Sequence, residues 1–424
     1  MPTKFQISTD FIQRTKCALA TLVFVLCAPA FPSSAQSTEN RKAEFELMHL
    51  WLTSIEAPAL NVIRDKVLKA GLAWTEHRVE GNFYGITFAL AERIAIGLPP
   101  TSVFWIGSLG HDSFANSTLF RSIPDSTPSH DFSESLHPEI RKRIHVDDGF
   151  ASLPLVIHLQ NVAVANLDAF ARIGATPPST WSQFLEMAPR LAAAGITPIS
   201  VSEVRWLLRF LFLSVFAEGL SKSQFAAMLD GQVDRADFME HAKRALTTFR
   251  DLKRFANRDS HQISWSDAIQ QVLGGTAALT ITGDFAAPGL RQHDNVVCTL
   301  APGNEFVAWS FDVLAFPRPT SEEQSEAQEA AFRALSAVDA LREFGIAKGG
   351  VPVIRNVDPA SLDRCSRESL KNWQQKERVS LSYDHWRLQL NSIASLAQHV
   401  WQDDTLRLDD VATQLYQELA LSLR

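Results

Sequence analysis

The chain is predicted to fold as an α/β protein of two or three domains. Strand-type and helix-type segments alternate through most of its 424 residues, and the helical segments are long enough to serve as crossovers between parallel strands. Residues 45–51 form a continuous apolar strand candidate. Residues 57–70 then place Leu60, Ile63, Val67 and Leu68 on one helical face and stop at Gly71. Residues 73–79 are predicted as a strand. Residues 86–96 read as an apolar-rich helix stopped by Gly97, and Pro99-Pro100 bars its continuation. A short strand follows at 102–106. From Ser108 to Asp148 the chain is rich in Ser, Asp, Pro and His, the composition of loops and short helices. Residues 153–165 read as one long extended segment, with Asn166 starting the next element. Thr180-Trp-Ser-Gln183 has the spacing of a capping box, and the helix it opens runs towards Ala194 and Gly195, with Pro189 expected to kink or shorten it. Residues 206–216 are almost wholly apolar with Arg209 inside. Eleven residues suit a buried core helix and are too few to span a membrane.

The first 35 residues have the pattern of an export signal. Lys4, Arg14 and Lys16 are basic, Cys17 to Phe31 is apolar, and Ser33-Ser34-Ala35 supplies small residues for cleavage near Ala35. The apolar run is shorter than a membrane span and Pro29 interrupts it; an uncleaved anchor is the alternative. Cys17 follows Lys16 and Cys27 follows Leu26, which argues against a lipoprotein. Cleavage would leave 389 residues and move the net charge from −7 to −9. Such an acidic chain has no general attraction for nucleic acid or anionic lipid, and Arg141-Lys142-Arg143 reads as a solvated face. Cys298 and Cys365 remain after processing, an even pair in an oxidising compartment; a bridge and two separate buried thiols both fit that count.

Gly274 to Asp358 is the most informative stretch. Gly274-Gly-Thr-Ala-Ala-Leu-Thr-Ile-Thr-Gly-Asp-Phe-Ala287 reads as a short strand at 277–281 that ends in Thr282-Gly283-Asp284, a turn and a helix cap. Phe311-Asp-Val-Leu-Ala-Phe-Pro317 reads as a second buried strand. Gly345-Ile-Ala-Lys-Gly-Gly-Val-Pro-Val353 brings Lys348 into a glycine-rich turn. In this order the three blocks resemble the later part of the family 1 extracellular solute-binding proteins of ABC sugar importers, closest to the glucose/mannose-type subgroup. The resemblance covers nearly the whole mature chain. It implies a periplasmic-binding-protein-like fold of type II, two discontinuous α/β lobes joined by a hinge. The expected lobes are 36–156 with 313–354 and 157–312 with 355–424, after the signal at 1–35. It also implies a periplasmic location, a small sugar or polyol as ligand, permease subunits as partners, a monomer, no direct membrane insertion and no cofactor. Both cysteines match subgroup positions, which implies a Cys298–Cys365 disulfide.

Enzyme signatures are missing: the chain has no His-Glu-x-x-His, Cys-x-x-Cys, Walker loop or Gly-x-Ser-x-Gly. Its 12 histidines show no metal-ligand pair on one predicted helix face, and Asp147-Asp148 and Asp403-Asp404 read as solvated loops, so neither a catalytic nor a metal set is expected. A sugar site instead needs flat aromatic faces for ring C–H bonds and a few charged groups for hydroxyl pairs. Ten tryptophans beside three tyrosines fit that need, although core packing explains most of them. The resemblance puts Trp51 and Glu56 in the first loop of such a site. Core packing is the other reading of Trp51, and a favourable helix-dipole position that of Glu56. His158 and Asn161 match a histidine and an asparagine at the first crossing, Trp206 a tryptophan after residues 196–199, and His385 a late histidine; a structural histidine and a core tryptophan are the competing readings of His158 and Trp206. Asp284 either caps a helix or meets ligand. Asp312, an acid inside an apolar strand, needs a partner such as a hydroxyl pair or Lys348. Lys348 itself has glycines beside it that let backbone approach a ligand. Three departures from the subgroup stand out: Leu52 replaces a second tryptophan, Gly81-Asn-Phe-Tyr-Gly85 interrupts a glycine tract, and Leu207-Leu208 removes a polar contact. Glucose as ligand therefore does not follow. Sensing on behalf of a sensor kinase and, more remotely, a secreted carbohydrate-active enzyme are the alternative functions.

Overall fold

Strand β1 is Glu44–His49, β2 Ala73–Arg78, β3 Ser102–Ile106, β4 His145–Val146, β5 Gly149–Phe150 and β6 Ser152–Leu159. They are followed by β7 Val162–Asn166, β8 Thr197–Ile199, β9 Ala277–Thr282, β10 Val296–Leu300, β11 Val307–Ala315, β12 Val351–Pro352 and β13 Arg378–Ser380. The computed structural model describes residues 42–80, 83–107, 118–128, 131–147, 149–381 and 383–421, without the side chains of 83, 84, 383–385, 387 and 421. The export signal read at 1–35, the start of the Gly81–Gly85 tract, parts of the 108–148 loop region and the His385 side chain lie outside the described residues.

Among the described residues the strands form a seven-stranded sheet in the order β12-β6-β11-β3-β1-β2, with β13 also paired to β11. A four-stranded sheet runs β10-β7-β9-β8, and β4 and β5 form a small hairpin. In the first sheet β1, β2 and β3 are parallel, as their intervening helices Ala57–Lys69 and Phe83–Ala95 require. In the second, β8 and β9 are parallel while β7 runs against β9 and β10. Each sheet with its helices makes one lobe. Phe45, Leu47, Leu155, Ile157, Phe311 and Val313 belong to one buried core, and Trp181, Phe212, Phe216, Phe249 and Trp401 to a second.

The chain passes between the sheets in short steps. The extended run expected at 153–165 is two strands, because Gln160 and Asn161 turn the chain from β6 in the first sheet to β7 in the second. Asn161 then staples this crossing to the next. Its amide donates to Asn304 Oδ1 (3.0 Å) and the Phe306 carbonyl (2.9 Å), its side-chain oxygen accepts from Ala308 N–H (3.0 Å), and its carbonyl accepts from Ala301 N–H (2.9 Å). After β12, His137 N–H bonds the Val353 carbonyl and Leu136 bridges Ile354. The helix Arg364–Gln375 comes next, tied to β10 by the Cys298–Cys365 disulfide. The final helices, Tyr383–Gln402 and Leu408–Leu421, pack on the second lobe.

Local sequence accounts for several helix starts. Thr180 accepts from Gln183 N–H, but Gln183 reaches back to Ser179 instead of Thr180, so the expected reciprocal box is displaced by one residue. That helix runs continuously from Trp181 to Ala193 with Pro189 inside it. Reciprocal boxes occur at Ser221/Gln224 and Ser264/Asp267. The helix Arg205–Phe216 is buried along nearly all its length, as its apolar run predicts. No helix among the described residues is long and apolar enough to cross a membrane.

Candidate functional site

The site is built where β6, β11 and the turn after β9 meet. His158 lies on β6, one residue before its end. Asp312 lies on the neighbouring β11, level with Val156 of β6 and Ile106 of β3, and a register shift between Asp312 and Val313 re-aims the strand there. Asp284 opens the short helical turn Asp284–Ala286 directly after β9. All three are buried. His158 Nδ1 lies 2.8 Å from Asp284 Oδ1 in a hydrogen bond, and Nε2 lies 3.3 Å from Asp312 Oδ2, an ion-pair contact without hydrogen-bond alignment. Burial works against the charged imidazole, but the Asp312 and Asp284 carboxylates outweigh it and hold the His158 pKa above its ordinary value. Asp284 Oδ2 is buried and meets no hydrogen-bond partner among the described residues.

Lys348 comes from another direction, as the last residue of the helix Val338–Lys348. Gly349 follows with φ 77° and Gly350 with φ 97°, the left-handed region that favours glycine. Close approach also requires these glycines. A Cβ on Gly349 would lie 2.6 Å from Pro288 Cδ, and one on Gly350 2.6 Å from the Ile157 carbonyl and 2.9 Å from His158 Nδ1. Bare backbone thus lets the lysine turn press against the His158–Asp284 pair. Buried Lys348 Nζ lies 3.8 Å from Glu56 Oε1, within ion-pair range but beyond hydrogen-bond range. The other Glu56 oxygen is held by Leu52 N–H (3.1 Å), Thr53 N–H (3.2 Å) and Thr53 Oγ1 (2.9 Å), which fixes the loop after β1 around the carboxylate.

Phe285 is the apolar centre of the group. Its ring packs edge-on against His158 (5.6 Å), Trp206 (5.7 Å) and Trp265 (5.3 Å), with Lys348 Nζ 5.6 Å from its centroid. Trp206, Trp265 and Phe285 are half-buried, so part of each aromatic surface stays accessible.

Six of the residues singled out in the sequence therefore converge: Glu56, His158, Trp206, Asp284, Asp312 and Lys348. Asp312 meets His158 instead of Lys348, whose partner is Glu56. Trp51 sits in the first-lobe core, its ring 4.7 Å from Phe104 and 5.8 Å from Phe344, and Asn161 is engaged in joining the crossings. Phe285 and Trp265 went unrecognised in the sequence. Phe285 had a signal, being the aromatic directly after Gly283-Asp284, whereas Trp265 follows a Ser264 cap and looks like any first-turn residue.

Comparisons with known proteins bear on the fold and the family. Residues 88–297 match the family described as bacterial extracellular solute-binding protein. A Brucella suis protein named a probable sugar-binding periplasmic protein is 24% identical over 366 residues, 83% of this chain and 85% of that one. Among solved structures, the bacterial solute receptor AcbH, which has an exclusive preference for β-D-galactopyranose, superposes with a TM-score of 0.73 at 13% identity, covering 90% of this chain and 98% of that one. A chitin oligosaccharide binding protein gives 0.73 at 17% identity over 89% and 98%. The fold is the two-lobed type II periplasmic-binding-protein architecture, on which relatives act as receptors and not as enzymes. The chain belongs to the bacterial extracellular solute-binding protein family.

Proposed function

We propose that the protein is an exported receptor that captures a small sugar, a monosaccharide or related polyol, between its lobes and delivers it to the permease of an ABC importer. The observation that carries this reading is the convergence of buried His158, Asp284, Asp312 and Lys348 on the half-buried aromatic group Phe285, Trp206 and Trp265. Charged groups of fixed geometry suit vicinal hydroxyls, and aromatic surface suits the C–H face of a sugar ring. The names of the Brucella protein and of AcbH point to the same ligand class. Capture works by closure: contacts from both lobes favour the closed form of a hinge equilibrium, and the closed surface is what a permease would read. The leader pattern at 1–35 and the Cys298–Cys365 bridge support a periplasmic location.

A thermal-shift screen of monosaccharides, polyols and oligosaccharides tests the proposal. A ligand at about a hundredfold over its Kd stabilises by about 2.7 kcal/mol, so at least one monosaccharide or polyol should raise the melting temperature measurably. Stabilisation by oligosaccharides alone would overturn the small-ligand part, and no stabilisation by any sugar would overturn the reading.

A further inference from the structure

A second feature of the same lobe lies beyond the carboxyl ends of the parallel strands β8 and β9, the position where open α/β sheets bind ligands. A cavity of about 10 Å³ opens there, room for one water-sized group. Its walls include Ser200, Ser202, Leu207, Trp265, Ala268 and Thr282. Trp265 connects it to the charged group, since the same ring packs against Phe285 at 5.3 Å.

The polar groups around the cavity are unevenly satisfied. Ser200 donates to Gln271 Oε1 (2.9 Å) and Ser202 to the Ile263 carbonyl (2.7 Å), so both hydroxyls have given away their protons and keep acceptor capacity. Thr282 is buried, and its Oγ1 meets no hydrogen-bond partner among the described residues. Leaving a buried hydroxyl unsatisfied is costly, and a hydroxyl can both donate and accept. What fits is therefore a group of one polar atom that also donates and accepts, carried on a small apolar stem beside Trp265 and Leu207. Asp284, two residues further on, has the unpartnered Oδ2.

We propose that this cavity receives the hydroxyl of a hexose's exocyclic hydroxymethyl group, bonded to Thr282 Oγ1, and so acts as a specificity subsite. The inference rests on the sugar-receptor reading and adds a selectivity to it: hexoses bind better than the pentoses that differ only by lacking that group. The rival occupant is a structural water, which would satisfy Thr282 equally well without reading the ligand.

Calorimetric titration with matched pairs (glucose and xylose, galactose and L-arabinose, mannose and lyxose) separates these. The unmodified protein should bind at least one hexose more tightly than its pentose partner. Thr282→Val should weaken that hexose about tenfold, the size of one hydrogen bond, and change the pentose less than twofold. Thr282→Ser should restore most of the preference. Ala268→Val, which fills the cavity from another wall, should likewise penalise the hexose alone and serves if Thr282→Val does not fold. Equal loss for both members of a pair, or no preference in the unmodified protein, overturns the subsite and points to a structural water. If no sugar titrates with the unmodified protein, the receptor reading itself falls.

Discussion

Replacing His158 with alanine is expected to lower stability by about 3–5 kcal/mol, the usual cost of removing one partner from a buried ion pair. The imidazole bonds Asp284 at 2.8 Å and faces Asp312 at 3.3 Å, and all three side chains are buried. Without it, two carboxylates are left in a low-dielectric setting facing a hole. The effect has a definite pH dependence. The His158 pKa is raised in the folded protein above its ordinary 6.5, so its contribution is fully present below 6.5 and fades as pH rises through the folded value. Thermal melts of the two proteins from pH 5 to pH 9 should show the deficit of the variant largest at the acid end of that range and narrowing towards the alkaline end. A deficit under about 1 kcal/mol, or one that grows with pH, would contradict the ion-pair account.

Serine at both Cys298 and Cys365 should cost about 4 kcal/mol, because a bridge across 67 residues removes that much chain entropy from the unfolded state. The bond also has a local task. It holds the helix Arg364–Gln375 against β10, so its loss loosens the segment that leads from β12 to β13. Melting curves with and without reductant are diagnostic. Reductant should lower the melting temperature of the unmodified protein to about that of the double-serine variant and leave the variant unchanged. Identical melting temperatures for all samples would show that the bridge contributes nothing.

Legibility in the sequence followed the range of the interactions involved. Strand β9, the apolar helix Arg205–Phe216 and the acid within β11 are written in short local patterns, and the structure contains each of them. The split of residues 153–165 was not legible, because Val162 would continue an apolar strand were it not for Asn161, whose partners Asn304, Phe306 and Ala308 lie some 140 residues away. Gln183 illustrates the same limit over one residue: spacing identifies the cap, but which amide it reaches depends on the path of Ser179. At the site, chemistry marked Asp312 and Lys348 as needing partners, since a buried charge cannot stay unpaired. It could not say that His158 and Glu56 would be those partners. Trp51 marks the opposite case, for its setting is decided by Phe104 and Phe344, which approach from distant segments.

The central claim, that a sugar is held at the group formed by His158, Asp284, Asp312 and Lys348, is tested most directly by titrating Lys348→Ala with the best sugar from the thermal screen. This variant leaves the His158 ion pairs in place, and Glu56 keeps its three donors from Leu52 and Thr53, so the fold has little reason to suffer. A charge-assisted hydrogen bond contributes about 1.5–3 kcal/mol, so the Kd should rise roughly tenfold to a hundredfold. Asp312→Ala should show a loss of the same order, together with the stability deficit of a broken His158 pair. A folded Lys348→Ala protein that binds the sugar as tightly as the unmodified one would contradict the site assignment.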